Sequence, residues 1–393
     1  MSAPDMTGAR KDDHVRHAVD QHHHGHTVND FDSVTFVHHA LAGISRATID
    51  LSTEVAGRRW ATPLYINGMT GGSQRTGAIN RQLAIAARET GLPIASGSMS
   101  AWLRDDSVAD TYRVLRTENP HGVVLANVNA NATCDRARRA VDLLTADALQ
   151  IHLNPVQEIV MPEGDRDFTH WPGQIERIVA AVNVPVIVKE VGFGLSRKTI
   201  AQLRDLGVEV ADVGGRGGTD FARIENHRRT EPDFAFIQGW GQSTVCCLLD
   251  AANIDGIGVA ASGGIRSPLD MAKALALGAV ATGVAGPFLT VLIDHGTDAL
   301  IATIRSWLDK LALIMTVLGA PTPQALTECD LVLDGDVETF CRALGIDTHA
   351  YAWRSRIARP TGSAPPSGAA NSTASQQNAA QLSAPTRKYW VPS

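Results

Sequence analysis

An α/β fold, and within that class a (β/α)8 barrel, is the architecture this sequence predicts. Three observations lead there. Eight short apolar runs alternate with helix-forming segments over about 220 residues, the repeat arithmetic of such a barrel. Glycine- and polar-rich loops recur after many of those runs, whereas an open doubly wound sheet concentrates its site at one switch point. The 393-residue chain also carries 35 glycines, with 44% hydrophobic but only 5% aromatic residues, as tight turns and small core side chains in repeated strand–turn–helix units require.

Residues 1–60 form an N-terminal arm and lead-in. Its opening stretch, to about Asp30, is polar and holds Arg10-Lys11-Asp12-Asp13-His14, then His22-His23-His24 and His26. It reads as solvated and mobile, because no scaffold fixes the histidine rings around a metal. Residues 36–41 and 49–53 are strand-like. The barrel is expected over 61–320, with strands at 63–66, 93–96, 122–126, 149–152, 185–189, 208–213, 258–261 and 279–283. Helices are expected at 77–89, 136–144, 196–206 and 269–277. Residues 274–293 carry no charge over a length that could cross a bilayer. Gly278, Gly283, Gly286 and Pro287 instead divide them into a helix end, a short strand and a new helix start. A barrel strand walled by helices is apolar on both faces. Ile301, Ile304, Leu308, Leu311 and Met315 then stand at helical spacing over 297–318. A C-terminal extension is expected over 321–359, and the Ala-, Ser-, Pro-, Asn- and Gln-rich stretch 360–393 as a disordered tail.

A net charge of −6 argues against a general nucleic-acid binder. The polar, His-rich start is no signal peptide. Cys134, Cys246, Cys247, Cys329 and Cys341 show neither CxxC nor zinc spacing and read as buried thiols of a cytoplasmic protein.

Chemistry concentrates at strand ends. The fourth strand alternates Leu149 and Ile151 with Gln150 and His152, and Asn154-Pro155 stops it. His152, Asn154, Gln157 and Glu158 thus gather at one strand end: an acid/base candidate, two amides and a carboxylate. After the seventh and eighth strands come Gly263-Gly264 and Ala285-Gly286, the places where barrels hold a phosphate on backbone N–H groups and a helix N-terminus. With Gly217-Gly218-Thr219 after the sixth, they point to a phosphate-bearing cofactor. Lys189 ends an otherwise apolar strand. An unpaired buried ammonium is costly. A flavin gives it a purpose, since its N1–C2=O edge turns negative on reduction; a salt bridge to Glu190 or Asp212 is the structural alternative. Thr70, Ser98, Asn127 and Thr219 are further polar strand ends.

These residues carry a resemblance. The Arg10–His14 run, Phe36-Val-His-His-Ala-Leu41, Met69-Thr-Gly-Gly72, Gln150-Ile-His-Leu-Asn154 with Gln157-Glu158, Gly215-Arg-Gly-Gly-Thr219 with Phe221-Ala-Arg-Ile-Glu-Asn226, and Ser262-Gly-Gly-Ile-Arg266 resemble type 2 isopentenyl-diphosphate isomerase over about residues 10–318. The resemblance implies interconversion of isopentenyl and dimethylallyl diphosphate on reduced FMN, with Mg²⁺ and no net redox change. It further implies NADPH as reductant, a cytoplasmic homo-oligomer (tetramer or octamer), and no nucleic-acid or membrane partner. Carried over by position, FMN would contact Gly68, Met69, Thr70, Ser98, Asn127, Lys189, Thr219, Gly263, Gly264, Arg266, Ala285 and Gly286. The substrate would meet Arg10, Lys11, Ser98, His152 and Gln157, with His152 and Gln157 as catalytic residues and Glu158 as the Mg²⁺ ligand. Ser98-Met99-Ser100 stands where the family has Ser-Gln-Arg, so one diphosphate-holding arginine is absent there; Arg104 is a nearby substitute in sequence. The proton is assigned to flavin N5, with Gln157 orienting the alkene or relaying a proton.

An FMN oxidoreductase of the 2-hydroxy-acid oxidase type is the alternative on the same barrel. It needs a His base beside an Arg on a late loop, and the loop after strand six, Gly214-Gly-Arg-Gly-Gly-Thr219, has no His. A nucleotide dehydrogenase needs a cysteine near that loop, and none lies between Cys134 and Cys246. A non-catalytic flavin binder leaves His152, Gln157 and Glu158 unexplained.

Overall fold

Side-chain alternation along eight strands decides this fold. The computed structural model describes residues 3–24 and 29–355. Three short strands come first: Val34–Phe36 (β1), Thr53–Val55 (β2) and Arg58–Trp60 (β3). The barrel strands follow: Leu64–Ile66 (β4), Ile94–Ala95 (β5), Val124–Asn129 (β6), Ala148–Leu153 (β7), Val186–Glu190 (β8), Val210–Asp212 (β9), Gly258–Ser262 (β10) and Thr282–Val284 (β11). They close in sequence order, β11 pairing back onto β4, and every pairing is parallel. All eight fall on the expected runs.

Side chains of one parity, such as Leu64, Ile66, Val124, Leu149, Ile151, Val188 and Ala211, belong to the core shared with the surrounding helices. Those of the other parity, Tyr65, Ala95, Leu125, Ala148, Ile187, Val210, Ala260 and Ala281, form a separate core inside the barrel. Burying one such Leu or Ile contributes about 1.5–3 kcal/mol. Two residues further along, the inward series turns polar: Asn67, Asn127, Gln150, Lys189, Asp212 and Ser262 are all buried. Because the strands are parallel, this polar layer lies at their C-terminal end, where barrels place their sites.

The helices are Ala3–His24 (α1), Gln74–Thr90 (α2), Asp110–Glu118 (α3), Cys134–Leu144 (α4), Pro155–Val160 (α5), Trp171–Ala181 (α6), Arg197–Asp205 (α7), Phe221–Arg228 (α8), Thr244–Ala251 (α9), Pro268–Ala276 (α10), Gly286–Leu318 (α11), Gly335–Leu344 (α12) and Thr348–Ala352 (α13). Ser73 and Thr76 form a capping box on α2, and Thr133, Ser196, Ser243 and Ser267 cap α4, α7, α9 and α10 by accepting a backbone N–H. The uncharged 274–293 stretch divides as expected into the end of α10, strand β11 and the start of α11. No helix among the described residues is long and apolar enough to cross a membrane.

Several expectations need correction. Residues 3–24 of the N-terminal arm are not a solvated, mobile stretch: they form helix α1, with Val15 and Val19 buried against the main core. Residues 37–41 and 49–52 are not strand; β1 covers only Val34–Phe36, and β2 starts at Thr53. β1 instead pairs antiparallel with Leu331–Leu333 (β12) of the C-terminal extension. The helix expected over 297–318 is the second part of α11, which continues from the new start at Gly286 across a break at Gly296, whose φ of 83° is non-helical. Cys246, Cys247 and Cys341 are buried free thiols, but Cys134 and Cys329 are half-buried. His26 and the tail 360–393 lie outside the described residues.

Candidate active site at the barrel mouth

Strand β7 delivers Gln150 and His152 to the mouth, and Pro155 at the first turn of α5 redirects the chain there. Asn127 Nδ2 donates to Gln150 Oε1 at 3.1 Å. Its Oδ1 therefore faces His152 Nδ1 at 2.7 Å, so the ring carries its proton on Nδ1 and leaves Nε2 as acceptor. Burial, then the charges of Lys189 and Lys11, push the His152 pKa down to about 3. The ring is neutral at physiological pH in this environment.

Asn154, Gln157 and Glu158 form one network. Asn154 Nδ2 donates to Gln157 Oε1 at 3.2 Å and to Glu158 Oε1 at 2.8 Å, and Glu158 Oε2 accepts Asp165 N–H at 2.9 Å. Gln157 Nε2 donates to Glu225 Oε1 at 2.8 Å. Glu225 is fully buried on α8 and also meets His14 of α1 at 2.9 Å and Arg228. Although burial raises its pKa, the His14 hydrogen bond and charge, Gln157 and Arg228 hold it down at about 2. Sequence reasoning missed Glu225 as a hub, because two of its partners, His14 and Gln157, come from distant stretches. Its place in the Phe221–Asn226 motif was the available signal.

Helix α1 is tied to several loops at the mouth. Ser73 Oγ donates to Asp12 at 2.7 Å. Arg10 reaches Glu163 at 3.2 Å, and His23 reaches Asp294 at 2.8 Å. Gln21 exchanges two hydrogen bonds with the backbone of Asp220, at 2.9 and 3.1 Å. These contacts bring Lys11 close enough to sense Arg10, Arg104 and Glu225, and burial, followed by those two arginines, lowers its pKa to about 8. Arg104 is itself depressed by burial, then by Arg10 and Arg136. Arg10 Nε is buried without a partner. Cations that lower one another's proton affinity, with a donor left over, make an anion site.

The residues expected to meet a cofactor, with their neighbours, divide into two groups. Thr70 Oγ1, Ser96 Oγ and Gln150 Nε2 are buried without a hydrogen-bond partner at the mouth. Orphaned buried donors are rare in proteins, and these fit the polar edges of a flavin. Gly68 passes so close to Ser96 that a Cβ would sit 2.2 Å from Ser96 O. Met69 is half-buried beside it, and Ser98 pairs with Ser100 at 3.0 Å. Gly263 and Gly264 take φ of 88° and 76°, which favour glycine, and pack against Gly217 and Gly218. A Cβ on Gly286 would lie 3.7 Å from Thr219 Oγ1, so the sixth and eighth loops meet beside Ala285 and the start of α11. This close-set glycine cradle suits a phosphate.

Arg266 is held within its own loop. Its guanidinium makes four hydrogen bonds, to Asp32 and Asp270, and its backbone N–H is taken by Asp270. Those pairs fix the loop that carries Gly263 and Gly264. Lys189 makes no salt bridge to Glu190; its Nζ donates to the Glu190 backbone carbonyl at 2.9 Å. No group of three or more His, Cys, Asp or Glu side chains suited to a metal occurs among the described residues. Any Mg²⁺ here would lean on substrate oxygens and water around one carboxylate, which is its usual habit.

The family model of the FMN-dependent dehydrogenases matches residues 106–332. The chain is 67% identical over 356 residues to the isopentenyl-diphosphate delta-isomerase of Nocardia farcinica, covering 91% of this chain and 98% of that protein. Against the enzyme of the same name from a Streptomyces species the figures are 61%, 89% and 96%, and against that of Staphylococcus epidermidis 44%, 86% and 96%. Among solved structures, a Pediococcus acidilactici lactate oxidase superposes with a TM-score of 0.61 at 15% identity, over 84% of this chain and 94% of that one. A mandelate oxidase point mutant with a monooxide FMN adduct gives 0.55 at 20% identity, over 78% and 90%. These two likenesses show the fold.

Proposed function

The chain belongs to the isopentenyl-diphosphate delta-isomerase family, and on that premise we propose that its barrel mouth interconverts isopentenyl and dimethylallyl diphosphate on reduced FMN, with Mg²⁺ on the diphosphate. The observation that carries this reading is the cationic cluster of Arg10, Lys11 and Arg104, electrostatically coupled through Lys11 to His152 at the mouth. A hydroxy-acid oxidase substrate carries one carboxylate and has no use for so much positive charge.

FMN, when bound, supplies a reduced ring whose N5 is basic and electron-rich. The chain's own residues do the rest. Gly263, Gly264, Thr219, Ala285 and Gly286 suit the phosphate, and Thr70, Asn127 and Lys189 the ring, with Gly68, Met69 and Ser98 beside them. Arg10 and Lys11, with Arg104, bind the diphosphate. His152 presents Nε2; a diphosphate beside it favours the imidazolium, so the ring then donates to the anion. Gln157 is held at both ends of its amide, by Asn154 and Glu225, and so orients the alkene without rotating. Glu158 keeps lone pairs for Mg²⁺. Helix α1, tied across the loops, excludes water, which a carbocation-like transition state requires. NADPH as reductant, homo-oligomerisation and a cytoplasmic location belong to the same proposal.

The test is proton NMR of isopentenyl diphosphate incubated anaerobically with dithionite-reduced, FMN- and Mg²⁺-loaded enzyme. Dimethylallyl diphosphate should accumulate to equilibrium with reductant needed only catalytically. No isomer formation, together with flavin reduction by a 2-hydroxy acid, would establish the oxidase reading instead.

A further inference from the structure

The polar layer inside the barrel contains one carboxylate that no step above uses. Asp212 ends β9, is fully buried, and stands in register with Lys189 on β8. Four donors converge on it. Tyr65 Oη donates at 2.5 Å and Asn67 Nδ2 at 3.3 Å to Oδ2; Ser262 Oγ at 2.7 Å and Gly214 N–H at 3.3 Å donate to Oδ1. Asn67 Nδ2 and the Gly214 N–H can only donate, so the site is built for a carboxylate rather than a carboxylic acid. Tyr65 crosses the interior to reach it, and only a glycine at 283 lets it: a Cβ there would sit 2.5 Å from the Tyr65 ring. Burial, then Asp212, keeps the Tyr65 phenol protonated.

We infer that Asp212 is a positioning residue, a fixed negative charge that holds Lys189 as an ammonium beneath the cofactor. The inference rests on the reading that Lys189 faces the flavin. The other groups facing Lys189 do not fill this role. His152 on β7 is neutral. Glu190, next along β8, turns its Oε2 onto the N–H groups of Val191, Gly192 and Phe193, and burial raises its pKa to about 7, so its charge is only partial at neutral pH. Burial alone drives Lys189 toward the neutral amine, and Asp212 leads the influences that oppose it. Tyr65 answers to Asp212 and not to the lysine. An amine in place of the ammonium would leave the cofactor without its positive neighbour, so Asp212 acts on the ring through Lys189.

The experiment is NMR titration of the FMN-loaded enzyme with labelled lysine side chains; the sequence has six lysines, and Lys189→Arg assigns the signal. Wild-type Lys189 should be an ammonium at neutral pH, and Asp212→Asn should bring its titration down by about one unit or more, a tenfold loss of proton affinity. An unmoved titration in Asp212→Asn overturns the inference. If that variant does not fold, the wild-type titration decides alone: a Lys189 already neutral at pH 7 overturns it. Lys189→Met separates the inference from the reading beneath it. If it leaves the FMN midpoint potential and dissociation constant unchanged, the flavin-facing reading fails and takes the inference with it. If it shifts them while Asp212→Asn leaves the lysine untouched, only the role of Asp212 fails.

Discussion

Lys11 shows how one side chain acquires its chemistry from its neighbours. Burial, then Arg10 and Arg104, lower its pKa to about 8, and Glu225 pulls the other way. In free enzyme it is therefore charged below about pH 8 and neutral above, so kcat/KM should fall as pH rises through that value. Bound diphosphate restores the proton, so kcat should fall less. Arg104→Ala removes one cation, which should lower kcat/KM but move its alkaline limb to higher pH; a limb that stays put would separate Arg104 from the anion site. The stability sign is opposite. An unfolded lysine binds its proton up to 10.5 and the folded one only to about 8, so this residue's contribution to stability rises with pH between those values. Glu158 belongs to the same scale. Glu158→Gln can still accept from Asn154 or from the Asp165 N–H, though not both, because these bonds use different oxygens; it also loses its charge, worth about 1.5–3 kcal/mol for a charged partner. Turnover should drop roughly ten- to a hundredfold by that energy, and excess Mg²⁺ should rescue little of it. Near-normal turnover and Mg²⁺ dependence would make Glu158 a loop fixture. The Lys189 environment was only half legible: its place at a strand end was readable, but whether Glu190 or Asp212 serves it depends on a three-residue turn and on which strand is its neighbour.

At the scale of elements, the barrel strands were legible and helix α1 was not, for one reason. A strand buried on both faces writes a run of apolar residues, whereas α1 buries just Val15 and Val19 among its described apolar side chains. Two apolar positions one helical turn apart do not stand out in a polar, His-rich sequence. The rest of its docking is polar and non-local, to Ser73, Glu163, Asp220, Glu225 and Asp294, and no local pattern encodes partners so far along the chain. The same holds for β1, whose partner β12 lies near the other end of the described chain. The docking has a consequence for function. His14 and Gln21 tie α1 to the α8 region through Glu225 and Asp220. His14→Ala with Gln21→Ala removes hydrogen bonds worth about 0.5–3 kcal/mol each. The helix should dock less, KM for the diphosphate should rise on the order of tenfold or more by that energy, and FMN content should hold. Loss of FMN in the double variant would show that α1 supports the barrel itself rather than the substrate.

At the scale of the whole molecule, the interior is graded along the barrel axis, apolar below and polar at the mouth, and this grading sets stability against function. The period-two strand pattern was readable, but which polar atoms would be left without partners was not, since that depends on side chains meeting across several strands. Thr70 Oγ1 and Ser96 Oγ are buried donors with no partner in the protein. Each such group costs about 1–3 kcal/mol when unsatisfied. Thr70→Val and Ser96→Ala keep shape or shrink it by one atom while removing the orphan. In FMN-free protein each should therefore raise Tm, by about 2–4 °C per kcal/mol for a chain of this order of size. In the FMN-loaded protein that gain should shrink or disappear. A ligand at a hundred times its Kd stabilises by about 2.7 kcal/mol, and a tenfold weaker Kd takes about 1.4 kcal/mol of that away. Thermal unfolding with and without FMN, alongside Kd from flavin fluorescence quenching, reads both arms. If the substitutions lower Tm of the FMN-free protein, or leave Kd as it was, these hydroxyls serve the fold and not the cofactor.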